Sequence, residues 1–416
     1  MAALMRQLRV MLGDVPVGTL SLDDQSRTVF RVSETYKRLA HRPVLGQWFL
    51  DDLDAEHKAR TRLPPWFANL LPEGALRELL VRQLGGSAAN EFLLLQSLAG
   101  DLPGAVRVLA DVDDPGLPDA ALAAAAEHRA VTFAAADRLL RFSLAGVQLK
   151  FSAQREGHGL TVPMSGRGGN WIVKLPDQRF AGVPRNEFAT MNWARAAGIS
   201  VPETSLLALA DVAGLPPGLG PWPEEAEVLA VRRFDRPDSG RRIHIEDFAQ
   251  VLGVFPDDKY DRANVETLGR LVLAITGRAG LEEWLRRVVF MIASGNGDAH
   301  LKNWSLIYPD GVSAELSPAY DLVSTVLFMP ADRLALNFGK TKEWAGMNRE
   351  VFQRLAGKLG LPEGPVMACV DQAVLATVSA WRQGAADFGH AAAERERLLD
   401  HMRRVPLLAP HIIRAA

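Results

Sequence analysis

A change of hydrophobic period part-way along the chain limits most strongly what it can fold into. Up to about Asp235 the apolar residues fall mainly in short, β-branched runs bounded by Gly and Asp turn signals: QLRVML, VPVGTLSL and TVFRVS first, then FSLAGVQLKFSA, GLTVP, NWIVKLP and VLAVRRFDR. Beyond that point the runs lengthen and take helical spacing, as in ETLGRLVLAITG, LEEWLRRVVFMIAS, REVFQRLAGKLG, VMACVDQAVLATVSAWR and AAAERERLLDHMRRV. Period 2 suits a pleated strand and period 3.6 a helix, so the two halves cannot share one architecture. Three helical segments interrupt the first part: PEGALRELLVRQLG, NEFLLLQSL and RNEFATMNWARAAGI, the last ending near Gly198. DLPGAVRVL reads as a strand closing the first unit, and PGLPD, Pro115 to Asp119, as a linker. The predicted class is α+β, with boundaries at 1–114 for a separate N-terminal α+β unit, 115–235 for a β-rich lobe and 236–416 for a helical lobe.

Composition bounds the chemistry loosely. With 48% hydrophobic and 23% charged residues among 416, the chain can build a large core. A net charge of −2 argues against an autonomous, strongly nucleic-acid-binding surface. One cysteine, Cys369, excludes an intramolecular disulfide and is read as a small buried hydrophobe. The N-terminal residues lack the unbroken apolar core of a signal peptide, and no stretch approaches 18 consecutive apolar residues. The expectation is a cytoplasmic protein without a membrane span.

The stretch GNGDAHLKN, Gly295 to Asn303, crowds Asp298, His300, Lys302 and Asn303 into one segment after an apolar helix. Asn-Gly and Gly-Asp make good turns, so a plain turn is one reading. The other is a phosphoryl-transfer loop, in which an Asp accepts a hydroxyl proton and an Asn five residues on holds a metal ion. That reading requires partners. Asp321 in SPAYDLVS can return to Asn303 through a hairpin, WSLIY–PDG–VSAELS, and two oxygen ligands suffice for Mg²⁺ beside phosphates. Lys174 sits in the apolar strand NWIVKLP, where an ammonium needs an anionic partner. Its alternative is an exposed edge position. Glu187 could pair with it, or could simply favour the dipole of a first helical turn. SLAGVQLK has a single glycine, Gly146, and fits either a phosphate-covering loop or an ordinary hairpin turn.

Taken in order, Ser143-Leu-Ala-Gly-Val-Gln-Leu-Lys150, Lys174-Leu-Pro, Asn186-Glu187, Ala230-Val-Arg-Arg-Phe-Asp-Arg236, His244-Ile-Glu-Asp-Phe-Ala-Gln250, Gly297-Asp-Ala-His-Leu-Lys-Asn303 and Pro318-Ala-Tyr-Asp321 resemble the HipA-type toxin kinases of bacterial HipBA toxin–antitoxin modules. PWFANLLPEGALR and GDLPGAVRVL extend the resemblance to the N-terminal unit. It implies a protein-kinase-like two-lobe fold and a serine/threonine kinase using ATP and Mg²⁺. By the same resemblance Asp298 is the general base, and Asn303 and Asp321 are the metal ligands. Ala145, Gly146, Val147, Gln148, Leu149 and Lys150 cover the nucleotide, and Lys174 neutralises its phosphates. Arg232, Arg233 and Phe234 form the adenine hinge, where the first position is often acidic in the family. His300, Leu301, Lys302, Asn303, Tyr320 and Asp321 match further nucleotide positions, and Ser143 matches the autophosphorylation site. The implied target is an aminoacyl-tRNA synthetase, with glutamyl-tRNA synthetase foremost. The implied partner is a HipB-like helix-turn-helix antitoxin that carries most of the contact with operator DNA. Two alternatives stand beside this: a small-molecule kinase of the aminoglycoside-phosphotransferase type, and a catalytically silent scaffold joining antitoxin and DNA.

Overall fold

The computed structural model describes residues 6–74, 76–77, 80, 91–99, 101–110, 149–157, 159–162, 169–177, 180, 182–215 and 219–413. The linker PGLPD, the Ala-rich run after it, most of the segment after Pro72 and residues 143–148 lie outside the described residues.

The first unit is built on a five-stranded antiparallel sheet of β1 (Arg6–Leu12), β2 (Val15–Leu22), β3 (Arg27–Val32), β4 (His57–Arg60) and β5 (Val106–Ala110), in the order β4-β3-β2-β1-β5. The pleat sends Leu8, Val10 and Leu12 to one face, where they join Phe30, Val106 and Val108 under Trp66, Phe67 and Phe92. The predicted meander is found here. The four-residue β4 has no distinguishing run in the sequence.

A second, six-stranded sheet runs β10-β7-β6-β8-β11-β9. Its strands are β6 (Lys150–Glu156), β7 (Gly159–Thr161), β8 (Trp171–Lys174), β9 (Thr204–Ala208), β10 (Val212–Ala213) and β11 (Glu227–Arg232). β8 pairs with β6 on one side and β11 on the other, so Lys174 stands in the middle of the sheet and an edge position is excluded. Helix α1 (Val183–Ala196) turns its Trp193 toward the helical lobe, against Phe290 and Trp381. Because α1 begins at Val183, Glu187 lies beyond its first turn. The dipole account of that residue therefore fails.

The remainder is helical around one apolar core: α2 (Val265–Ser294), α3 (Arg349–Leu359), α4 (Glu363–Gly384) and α5 (Ala392–Arg404). The two helices expected over 266–294 are one run broken at Gly277, whose φ of 70° interrupts the helix. Cys369, on α4, is half-buried rather than fully enclosed. A three-stranded sheet, β12 (His244–Asp247), β13 (Ser305–Tyr308) and β14 (Glu315–Leu316), lies in this lobe. β13 and β14 form the expected hairpin, with Leu306 opposite Leu316.

The N-terminal unit has its own sheet and core and meets the rest of the chain at two polar junctions. Glu246 on β12 is fully buried and accepts hydrogen bonds from the Gln47 N–H at 2.9 Å, the Trp66 indole at 3.1 Å and the Tyr308 hydroxyl. Burial raises its carboxyl to about 7, against the pull of those donors. A second junction is ionic. Arg233 bridges Asp101 and Asp235, while Arg236 reaches Asp235 and the carbonyls of Leu102 and Gly104. Buried charges persist only when paired in this way, so the two units pack as one body at these points.

Candidate active site

The end of α2 delivers the polar loop. Gly295 terminates the helix in the left-handed region, with φ of 61°, and a side chain there would collide with Val326. Gly297 packs so tightly that a Cβ would stand 2.1 Å from Asp332 Oδ2 and 2.5 Å from the Arg333 carbonyl. Thr325 ties the loop down: its hydroxyl accepts from the Gly297 N–H at 2.7 Å and donates toward the Gly295 carbonyl at 3.0 Å. Gly297→Ala should therefore displace the following residues. We expect a loss of about 1–3 kcal/mol with a larger fall in activity, and parallel urea unfolding and turnover measurements check it.

Within the loop, Asp298 is half-buried. Its Oδ1 accepts from the Tyr260 hydroxyl at 2.8 Å. Burial pushes its carboxyl up to about 7, although the Tyr260 bond and the nearby Lys259 charge act the other way. Asn303 donates its Nδ2 to the Asp298 carbonyl at 2.8 Å, so the atom it has left for a cation is the amide oxygen. His300 caps the short 3₁₀ turn Leu301–Asn303. Burial, reinforced by the Lys259 charge, lowers its imidazole to about 3 and keeps it neutral.

The hairpin returns Asp321 to this loop. Ser317 N–H donates to the Ser305 carbonyl at 2.9 Å. The Tyr320 hydroxyl bonds Ser305 Oγ at 2.6 Å and the Lys302 carbonyl at 2.8 Å. Residues 320 and 302 are thereby joined, which brings Asp321 close enough to the loop for its charge to act on Asp298 and His300. Asp321 has a φ of 55°, in the left-handed region that Asp tolerates better than most side chains. It pairs directly with Lys174, whose Nζ also lies 2.6 Å from Glu187 Oε1. Lys174 and Glu187 are nearly inaccessible, while Asp321 keeps 26% of its side chain exposed. Burial works against the charge on Lys174, but the two carboxylates overcome it and hold the ammonium above its ordinary range. Burial would likewise raise Asp321, yet the charges of Lys174 and Lys150 hold it well below the usual carboxylate range. Glu187 is raised by burial, against the pull of Lys174.

This donor set fits a magnesium ion beside a polyphosphate. Asp321 and Asn303 offer hard oxygen ligands, and Mg²⁺ takes few ligands from protein, completing its shell with water and phosphate. Lys174 adds a buried cation paired with Glu187 and Asp321.

Other expected contacts narrow. Leu301 is a fully buried core residue, so its side chain serves the apolar cluster rather than a nucleotide. Lys302 turns its ammonium to Asp247 Oδ2 at 2.9 Å and to the backbone and side-chain oxygens of Asn69 at 2.9 and 3.0 Å. Arg233 is committed to the Asp101–Asp235 cluster, and Arg232 bonds Asp238 at 2.5 Å. The N–H groups of Arg232 and Arg233 go to the carbonyls of Glu203 and Asn170, so neither is free to meet an adenine edge. Phe234 faces Tyr320 with ring centroids 5.8 Å apart, which joins the segment after β11 to the loop of Asp321. Leu149 is partly buried against the core of the second sheet, and Lys150 opens β6 opposite Lys174. Ser143 and Ala145 to Gln148 lie outside the described residues.

Sequence reasoning missed Tyr260, Lys259, Asn69, Glu73 and Thr325. The charged run PDDKYDR ahead of α2 was the one local signal for the first two.

The HipA N-terminal domain model matches residues 8–109, and the HipA-like C-terminal domain model matches residues 142–381. A putative kinase of Sinorhizobium fredii, Y4dM, is 44% identical over 96% of this chain and 97% of its own length. The serine/threonine-protein kinase toxin HipA of Shewanella oneidensis is 27% identical over 77% of this chain and 76% of its own. A chain in the solved complex of the Shewanella oneidensis toxin HipA with HipB and operator DNA superposes with a TM-score of 0.73 at 22% identity. It covers 98% of this chain and 100% of the other. That likeness speaks for the fold.

Proposed function

The chain belongs to the HipA family in both its N-terminal and C-terminal parts, and from that premise we propose that it is a Mg-ATP-dependent protein serine/threonine kinase, the toxin of a toxin–antitoxin pair. The observation that carries the reading is the convergence of Lys174, Glu187 and Asp321 beside the loop holding Asp298 and Asn303. Mg-ATP supplies the γ-phosphoryl group and neutralises charge on the phosphates. Lys174 adds a fixed positive charge, and Asn303 and Asp321 hold the metal. Asp298 accepts the proton of the acceptor hydroxyl as that oxygen bonds phosphorus and the bond to the bridging oxygen of ADP breaks. Tyr260 orients the accepting carboxylate, whose elevated pKa makes it an effective base near neutrality.

The substrate is a protein of the translation machinery, an aminoacyl-tRNA synthetase, with glutamyl-tRNA synthetase the leading candidate. Its phosphorylation in the cytoplasm halts translation. A HipB-like helix-turn-helix antitoxin restrains the kinase and carries the affinity for operator DNA, in keeping with a net charge of only −2 on this chain. The contacts of the N-terminal unit with the catalytic loop count against the aminoglycoside-kinase alternative, which gives that unit no role. Phosphoproteomics after expression of wild type and of Asp298→Ala tests the reading. A small set of phosphosites confined to wild type is expected, and identical phosphoproteomes would refute it. Sites outside the synthetases would keep the kinase and change its target.

Autophosphorylation at Ser143 belongs to the same reading. A phosphoserine adds roughly −1.5 to −2 charges at the root of the segment proposed to cover the nucleotide phosphates. The modified segment is repelled and the kinase is switched off. Mass spectrometry should find phosphate on Ser143 in wild type and none in Asp298→Asn, while Ser143→Ala keeps Mg-ATP binding. Equal phosphate in both preparations, or none in either, counts against the switch.

A further inference from the structure

Resting on the kinase reading above, we propose that Glu73, contributed by the N-terminal unit, is a positioning residue for catalysis: it holds the Lys259 ammonium away from the Asp298 carboxylate and leaves that base free for the acceptor hydroxyl. Lys259 is buried, and its Nζ lies 2.5 Å from Glu73 Oε2. Among the described residues Glu73 is the carboxylate in ion-pair contact with it. The other oxygen of Glu73 stands 3.6 Å from the Lys302 ammonium. One carboxylate thus serves two lysines.

The geometry ties this pair closely to the reacting end of the site. Lys259 precedes Tyr260, whose hydroxyl bonds Asp298, and its carbonyl accepts from the Leu301 N–H at 3.3 Å. Its charge already acts on Asp298 and His300. Asn69 fixes the segment that carries Glu73: its Nδ2 donates to the Val254 carbonyl at 2.7 Å and its oxygens receive Lys302. Glu73 stays ionised throughout the neutral range: burial alone would raise its carboxyl, but Lys302 and Lys259 hold it down at about 2. A buried ammonium without its partner seeks the next carboxylate. Asp298 already feels the Lys259 charge, and an ion pair there would tie up the lone pair that must take the proton.

The test uses the full chain, radiolabelled Mg-ATP turnover for kcat and KM, calorimetric Mg-ATP affinity and urea unfolding. Glu73→Gln keeps the shape and removes the charge. It should lower kcat by about tenfold to a hundredfold, the scale of a misplaced catalytic group, with KM and Mg-ATP affinity unchanged. The double variant Glu73→Gln with Lys259→Met should regain part of that loss, because the ammonium that quenches Asp298 is gone. A purely structural Glu73 predicts instead that the loss and its recovery follow the urea midpoint, whereas a positioning role moves kcat beyond any change in the midpoint. The inference is overturned by an unchanged kcat in Glu73→Gln, by a parallel loss of Mg-ATP affinity, or by a double variant that regains nothing. If active wild type accompanies any of these, the kinase reading survives; wild type without turnover removes both.

Discussion

Asp298→Asn should lose phosphoryl transfer by about 10²–10⁴-fold, the usual effect of removing a positioned base, while binding Mg-ATP and unfolding much as wild type does. The carboxylate is half-buried and lies in a loop, so little of the core depends on it. The pH profile gives an independent check. With its carboxyl raised to about 7, Asp298 in the free enzyme is mostly protonated below neutrality. The kcat/KM of wild type should rise with pH toward about 7 and then level, and the Asn variant should lack that limb. Stability runs the other way. A carboxyl raised above its unfolded value favours the fold at low pH, and that contribution is lost as pH rises through about 7. The Asn variant cannot ionise, so its urea midpoint should fall less than that of wild type between pH 5 and 8. Phosphorylation at the wild-type rate would refute the assignment of Asp298 as base.

Lys174→Ala should weaken structure and function together. The ammonium is shared by two carboxylates, and its removal leaves Glu187 buried without a counter-charge. Breaking a buried pair from one side destabilises by about 3–5 kcal/mol, which urea unfolding would register. Mg-ATP affinity and kcat should both collapse, since in the proposed mechanism the lysine faces phosphate charge before and during transfer. The paired substitution Lys174→Met with Glu187→Leu separates the two roles. Apolar groups of similar volume should restore much of the stability, yet activity should stay absent. A calorimetric titration of Lys174→Ala with undiminished Mg-ATP binding would assign the lysine to structure alone.

The parts of this site that were legible in the sequence are those whose signal is local. A lysine inside NWIVKLP is conspicuous because its neighbours are apolar, and the Asp298–Asn303 spacing lies within one turn of chain. The hairpin that returns Asp321 could be read from its PDG turn. What stayed hidden depends on pairs far apart in sequence. Asn69 and Lys302 are 233 residues apart, and Gln47 and Glu246 are 199 apart. No periodicity announces such contacts, and a side chain such as Lys302 looks identical in sequence whether it meets a phosphate or Asp247. Leu301 illustrates the converse: inside a polar motif it reads as part of the site, but packing takes it into the core. The side-chain commitments of Arg232 and Arg233 were similarly invisible, because they rest on Asp238, Asp101 and Asp235 in the folded chain.

The backbone at Asp321 bears on which residues evolution can place there. The position imposes two unrelated demands: a left-handed φ of 55°, and a negative charge facing Lys174. Asn and Gly satisfy the first and fail the second. Glu satisfies the second, but it is less at ease than Asp in that backbone region. Every single replacement therefore gives up either the turn or the charge, and no intermediate keeps half of each. A lineage that loses Asp321 would have to move the hairpin and rebuild the neighbourhood of Lys174 together, so the position is closed to gradual drift even though a quarter of its side chain meets solvent.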